Sequence, residues 1–245
     1  MQYQETDFDF ISRLMEQEGI YYYFKHEPTK HILVLADDYS AHDPVAGHED
    51  IPYYPPSEHT LRERDHIYGW SLVRMVRPGA FTHTDFDFTA PRKKLLARRQ
   101  DLKSHPYADL EIYEYPDSYV SSDDGENYAR VRIEELHTGY ETAQGAGNAR
   151  GLATNALFKL TNYRREDQNR EHLIVAAEYQ LQSDALGSSD QADTGSVFQC
   201  GFSTLEAKTP YRPSRTTPKL RIRGPQTTVV VGKAGESSRP TTTAG

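Results

Sequence analysis

The side chains able to do chemistry in this chain are ten histidines, two pairs of closely spaced aspartates and one cysteine. A protein-held transition metal takes imidazole, thiolate or carboxylate ligands at short spacings, such as two histidines one helical turn apart around a glutamate. Here His26 and His31 flank a turn, while His42, His48, His59 and His66 are spread along a loop-rich stretch. None has such a spacing, so the histidines read as solvated and no metal site is expected. Asp7/Asp9 and Asp85/Asp87 offer paired carboxylates, the requirement of a glycoside hydrolase. A helix N-terminus accounts for the first pair through its dipole, and an exposed strand face accounts for the second. Hydrolysis of cell-wall glycan by these acids is the enzymatic alternative. It needs a raised-pKa acid facing its partner across a cleft.

Cys200 lies midway between Phe198 and Phe202. At period two the three share one strand face, which makes the cysteine a small buried residue. No histidine is marked as the base that a nucleophilic thiol requires. Gly232-Lys233-Ala234-Gly235-Glu236-Ser237 has the flavour of a phosphate loop but not its residue order, and no helix pattern follows it. No catalytic, cofactor-binding or metal-ligating residue is assigned, and no cofactor is expected.

The formal charge of −8 argues against nucleic acid as the main partner. No run approaches the ~20 apolar residues that span a bilayer, so no membrane insertion is expected. A lone cysteine excludes an internal disulfide framework and suits a reducing cytoplasm. Seventeen tyrosines suit half-buried strands and subunit interfaces.

Thr6 and Asp9 have capping-box spacing, Phe8, Ile11, Leu14 and Met15 share a helical face, and Gly19 supplies a stop. A helix over 7–18 follows, with Ile11 and Leu14 expected to be buried on a hairpin formed by 20–27 and 31–36. Residues 37–66 read as loop with one short strand. Strands at 68–76 and 80–89 are predicted to pair about Arg77-Pro78-Gly79, and 112–115 is another strand. A second amphipathic helix is predicted over 125–140, ended by Gly145-Ala146-Gly147. Strands follow at 156–160 and 172–182, then a solvated loop at 183–196, an extended connector after Pro210 and a last strand at 227–231. The fold class is α+β, with mostly antiparallel, barrel-like β modules and two amphipathic helices.

The block from Gln2 through Asp7, Phe10, Leu14 and Gly19 to Tyr22 resembles the VgrG family of type VI secretion spike proteins, whose hub is like that of phage tails. So do the stretch His31 to Asp37, the triplet Arg77-Pro78-Gly79, and Tyr211-Arg212-Pro213 followed by Gly224 to Gly232. The resemblance implies a structural spike component, not an enzyme. It implies a homotrimer seated on the hexameric Hcp tube, made in the cytoplasm and secreted by the type VI machinery, with an effector or tip protein carried by C-terminal parts. The resemblance divides the chain into a partial hub over 1–210, a connector with the first strand of a small β-barrel over 211–232, and an aberrant tail over 233–245.

Against the family pattern, the start of the hub is absent before Gln2 and the needle is absent after Glu236. A disrupted gene whose fragment does not assemble is the competing expectation. Ser237 to Gly245 also matches a displaced-frame reading of the family's usual Ile-Phe-Gln-Thr-Asp-Asp-His-Gly-Arg-Val. That tail has no large apolar residue and is expected to be disordered.

Overall fold

A computed structural model of the chain describes residues 2–56, 64–182 and 197–219, together with Gly224. The expectations for 183–196, for the strand at 227–231 and for the tail lie outside the described residues.

The first helix, α1 (Asp7–Glu18), starts and stops where its caps say. The Thr6 hydroxyl accepts from the Asp9 amide at 3.1 Å and donates to the Asp9 carboxylate at 2.8 Å. Asp7 and Asp9 in the first turn face the positive end of the dipole. Gly19 closes the helix at φ 73°, a left-handed conformation that glycine adopts without strain. A Cβ there would also come within 2.8 Å of Val131 Cγ1.

The hairpin follows as β1 (Tyr21–Glu27) and β2 (Lys30–Ala36), in antiparallel register from Tyr21↔Ala36 to Glu27↔Lys30. Tyr21, Tyr23 and Ala36 bury one face. The expected burial of α1 on this hairpin is not found. Ile11 is 53% exposed and Leu14 40% exposed, and α1 has no buried residue. Amphipathicity shows that a face needs cover without naming the cover. Here α1 is tied down by polar contacts, and its apolar stripe points outward.

The main core belongs to a six-stranded sheet. Its members are β3 (Asp50–Pro52), β4 (Ile67–Arg74), β8 (Glu141–Gly147), β9 (Leu157–Thr161), β10 (Glu171–Gln182) and β11 (Val197–Glu206), in the order β3-β9-β10-β11-β8-β4. Pairing is antiparallel except between β3 and β9. The sheet curls until its two edge strands approach, joined by the bridge Tyr53↔Ile67 and by the Tyr54 amide donating to the Ile67 carbonyl at 2.8 Å. Ile51, Ile67, Trp70, Ala143, Phe158, Leu160, Ile174, Cys200 and Phe202 all point into one cluster, so every strand of the sheet contributes to the interior of a half-barrel. Gly145 makes room in it, since a Cβ there would sit 2.2 Å from the Phe202 ring. The Gly145-Ala146-Gly147 stretch, expected to be only a helix stop, is thus part of a strand.

A second layer holds β5 (Ala80–His83) between β6 (Ala97–Gln100) and β7 (Glu111–Glu114), covered by α2 (Ser122–Thr138). Ala129 and Ile133 of α2 pack on Phe81 and Ala97. The expected hairpin between 68–76 and 80–89 is therefore replaced by a crossing from one sheet to the other. All four β5 residues are buried, where a half-exposed strand was expected. Arg77-Pro78-Gly79 carries a turn signal, but such signals cannot tell a hairpin from a change of sheet.

This arrangement predicts opposite outcomes for two leucines. Leu160→Ala, in the half-barrel interior, should cost about 2–5 kcal/mol. Leu14→Ala on the exposed helix should stay within about 0.5 kcal/mol of the parent. Urea denaturation of the two variants checks this, and equal costs would contradict it.

Candidate assembly site

Beyond β11 the chain runs extended over both helices, and its arginines hold it there. Arg212 is only 7% exposed. Its Nη1 donates to the Gly19 carbonyl at 3.0 Å and the Asp37 carbonyl at 2.6 Å, and its Nε donates to Glu134 at 2.7 Å. One guanidinium thus joins the end of α1, the end of the hairpin and the face of α2. The Thr138 hydroxyl accepts from the Arg212 amide at 3.2 Å, and the Tyr211 ring meets Tyr21 edge-on at 4.8 Å. Three residues on, Arg215 binds Glu114 and reaches Asp117 at 3.2 Å. Glu16 of α1 accepts from the Thr217 amide at 3.0 Å.

Beneath Arg215 the Asp117 carboxylate also meets His83 Nδ1, while His83 Nε2 lies 2.7 Å from the Gly125 carbonyl. Burial alone would raise the Asp117 pKa, but the His83 hydrogen bond and the Arg215 charge outweigh it and hold the carboxyl low. His137 is similarly placed, with Asp101 at 3.0 Å on one nitrogen and the Pro78 carbonyl at 2.9 Å on the other. Each ring thus has both nitrogens within hydrogen-bond reach of an oxygen acceptor.

The expectation of solvated histidines therefore fails at His42, His83, His137 and His172, all buried. A histidine can hide its polar atoms against main-chain carbonyls, and nothing in its neighbours' identities reveals this. His42 and His172 differ from the other pair in having no carboxylate partner. Burial lowers the His42 pKa, and it pushes His172 down to about 4, between Trp70 at 4.9 Å and Phe158 at 5.7 Å. His26 and His31 are exposed, His48 lies 3.0 Å from Asp65, and His59 falls outside the described residues.

The aspartate pairs serve turns and caps. Asp87 accepts from the Thr89 hydroxyl at 2.6 Å and the Thr89 amide at 2.9 Å, and the hydroxyl contact leads in lowering its pKa. Asp85 accepts from the Phe86 amide at 2.6 Å and from the Ser118 amide. A glycosidase acid needs its pKa raised, so the Asp87 environment runs the wrong way for that chemistry. Cys200 is buried as expected, and desolvation pushes its thiol up to about 11, far from a reactive thiolate.

The chain instead offers surface. Phe8, Ile11 and Leu14 on α1, Tyr22, Phe24, Leu33 and Leu35 on the hairpin, and Tyr179 and Leu181 on β10 are all exposed. On the hairpin Tyr22 pairs with Leu35 and Phe24 with Leu33, so these four share one contiguous apolar face of the kind that marks association. Edge strand β6 is bordered by exposed Arg92, Lys93, Lys94, Arg98 and Arg99. The Tyr211-Arg212-Pro213 block stands out in the sequence, but the role of Arg212 does not, because its partners are remote in the chain.

The model of the phage tail baseplate hub (GPD) matches residues 1–185, and the chain belongs to that family of tail-hub proteins. Within it, the chain is similar to two Pseudomonas aeruginosa proteins. It is 49% identical to type VI secretion system spike protein VgrG1b and 48% identical to VgrG1c, over 96% of its own length in each case. The chain spans about a third of those relatives, 32% of each. Among solved structures, the fold matches the E. coli c3393 protein with a TM-score of 0.54 and 16% identity, over 91% of this chain and 44% of that one. That protein is described as a type VI secretion component similar to the bacteriophage T4 tail proteins gp27 and gp5.

Arg212→Ala leaves two main-chain carbonyls without this donor and Glu134 with Arg130 alone; it should cost about 3–5 kcal/mol, and Arg212→Lys should restore only part of it. Chemical denaturation measures the loss, and a variant as stable as the parent would contradict the clamp.

His172 works in the other direction, through acid. Its folded pKa lies below the unfolded one of about 6.5, so its contribution is complete above that value. The contribution drains away as pH falls toward 4, to a total of roughly 3 kcal/mol. Melting temperatures across that window should fall less steeply for His172→Gln than for the parent.

Proposed function

We propose that this chain is hub material of a type VI secretion spike, a structural part that works by fitting other subunits rather than by turning over a substrate. The observation that carries this reading is the 49% identity to a spike protein running along 96% of the chain. The exposed apolar faces accord with it. In this reading three copies of the intact protein form a ring on the Hcp tube. Tyrosine-rich surface supplies more of that contact than ion pairs do, because aromatic side chains bury large area at small entropic cost. The protein is made in the cytoplasm and leaves through the machine it caps, with effector or tip proteins carried by parts beyond this stretch.

A chimera tests the assignment. Residues 2–236 replace the matching third of VgrG1b in a Pseudomonas aeruginosa strain lacking its other spike proteins. Recovery of the tube protein in the culture supernatant is the expected outcome. A chimera that is stable and abundant in cells yet exports no tube protein would count against the hub role.

A further inference from the structure

We propose that His26 and His31 form a two-imidazole chelate for a divalent transition-metal ion, Ni(II) or Cu(II), at the free end of the β1–β2 hairpin. In sequence the two are five apart, which is not the spacing of two ligands one helical turn apart. The hairpin brings them face to face, because the register pairs His26 with His31 directly. Pro28 and Thr29 form a two-residue turn closed by Glu27↔Lys30. When the closing pair is the hydrogen-bonded kind, as in a tight two-residue hairpin, the next pair is the non-hydrogen-bonded kind, whose side chains stand closer.

The two Nδ1 atoms are 2.7 Å apart and the rings are inclined at 74°. Two nitrogens in adjacent positions of a tetragonal ion stand roughly 2.8–2.9 Å apart, so both lone pairs can turn onto one ion with little movement. Tetrahedral zinc asks for roughly 3.3 Å and a wider opening. Both rings are exposed, so an ion can reach them and water can complete its shell.

The surroundings favour the pair. Phe24 lies over His26 with centroids 6.4 Å apart and planes at 25°, limiting that ring's freedom. The two neighbouring ammonium groups are paired elsewhere, Lys25 with Asp43 and Lys30 with Glu27, each at 3.5 Å. Both lysines alternate with the histidines along their strands and so sit on the opposite face. Without metal, one Nδ1–H donates to the other ring's lone pair. With metal, that ring takes up its Nε2–H tautomer, so that both Nδ1 lone pairs face the ion. The inference goes beyond the hub reading and stands without it, since it depends only on the hairpin.

Calorimetric titration of the tag-free chain with nickel chloride tests the site, with zinc and magnesium chlorides as comparators. One nickel per chain is expected, bound more tightly than zinc, with no magnesium binding and a rise in melting temperature as the ion clamps the two strands together. His26→Gln and His31→Gln should each abolish the tight binding and the thermal shift. His48→Gln, which alters the separate His48–Asp65 pair, should leave both unchanged. The outer hairpin face is exposed, so these variants keep the fold, which circular dichroism verifies. Absence of nickel binding by the parent, its survival in the His26→Gln/His31→Gln double variant, or its loss in His48→Gln would each overturn the proposal.

Discussion

Arg212 carries a full charge while almost entirely removed from water, and it is accommodated only because three acceptors from three elements converge on it. Burial of an unpaired cation costs several kcal/mol, so this guanidinium imposes an arrangement as much as it stabilises one. Two of its acceptors are the carbonyls of Gly19, at the end of a helix, and Asp37, just beyond a strand. The last carbonyls of a helix lack intrahelical donors and carry partial negative charge. A cation placed there satisfies both deficits. The positions of α1 and the hairpin against α2 are therefore set by electrostatics more than by apolar packing, which explains why α1 buries none of its residues. The half-barrel is the reverse case, closed by aromatic and aliphatic side chains drawn from every strand.

The buried histidines extend that contrast. In the α2 layer, His83 and His137 face carboxylates and carbonyls, and Asp117 links His83 to Arg215 of the connector. In the half-barrel, His172 lies among Trp70 and Phe158 and is kept neutral by its surroundings. One residue type thus serves two opposed purposes, a polar strut in one layer and an aromatic filler in the other. Neither arrangement provides the converging acid and base that a hydrolase requires.

Legibility in the sequence tracked the range of the interactions. α1 was readable because Thr6, Asp9 and Gly19 specify its ends locally, and the β1–β2 hairpin because a proline turn separates two β-type runs. Cys200 was placed in a buried strand from its phenylalanine neighbours alone. β8 was missed because its glycines, which read as a breaker, are there to clear space for Phe202, a residue far along the chain. The supposed hairpin about Gly79 failed because partner choice is decided by which core each strand enters. His26 and His31 were judged by spacing along the chain, and only the strand register sets them side by side. Arg212 was seen as part of a block, while its role depends on groups that no local window contains.

The pairing of β3 with β9 has a bearing on how the molecule is made. Asp50, Ile51 and Pro52 find their ladder partners only at Lys159, Leu160 and Thr161, and β4 finds its own only at β8. On the ribosome the early strands must therefore wait with open edges and exposed Ile51, Ile67 and Trp70 until the later ones emerge. At a synthesis rate of about 5–20 residues per second that wait lasts several seconds or more. The contact from Arg212 to Gly19, 193 residues apart, is among the last that translation permits. Long exposure of unpaired strand edges during synthesis is thus built into the strand order itself, and a nascent chain halted before β9 would present a sticky, unclosed sheet to its neighbours on the same messenger.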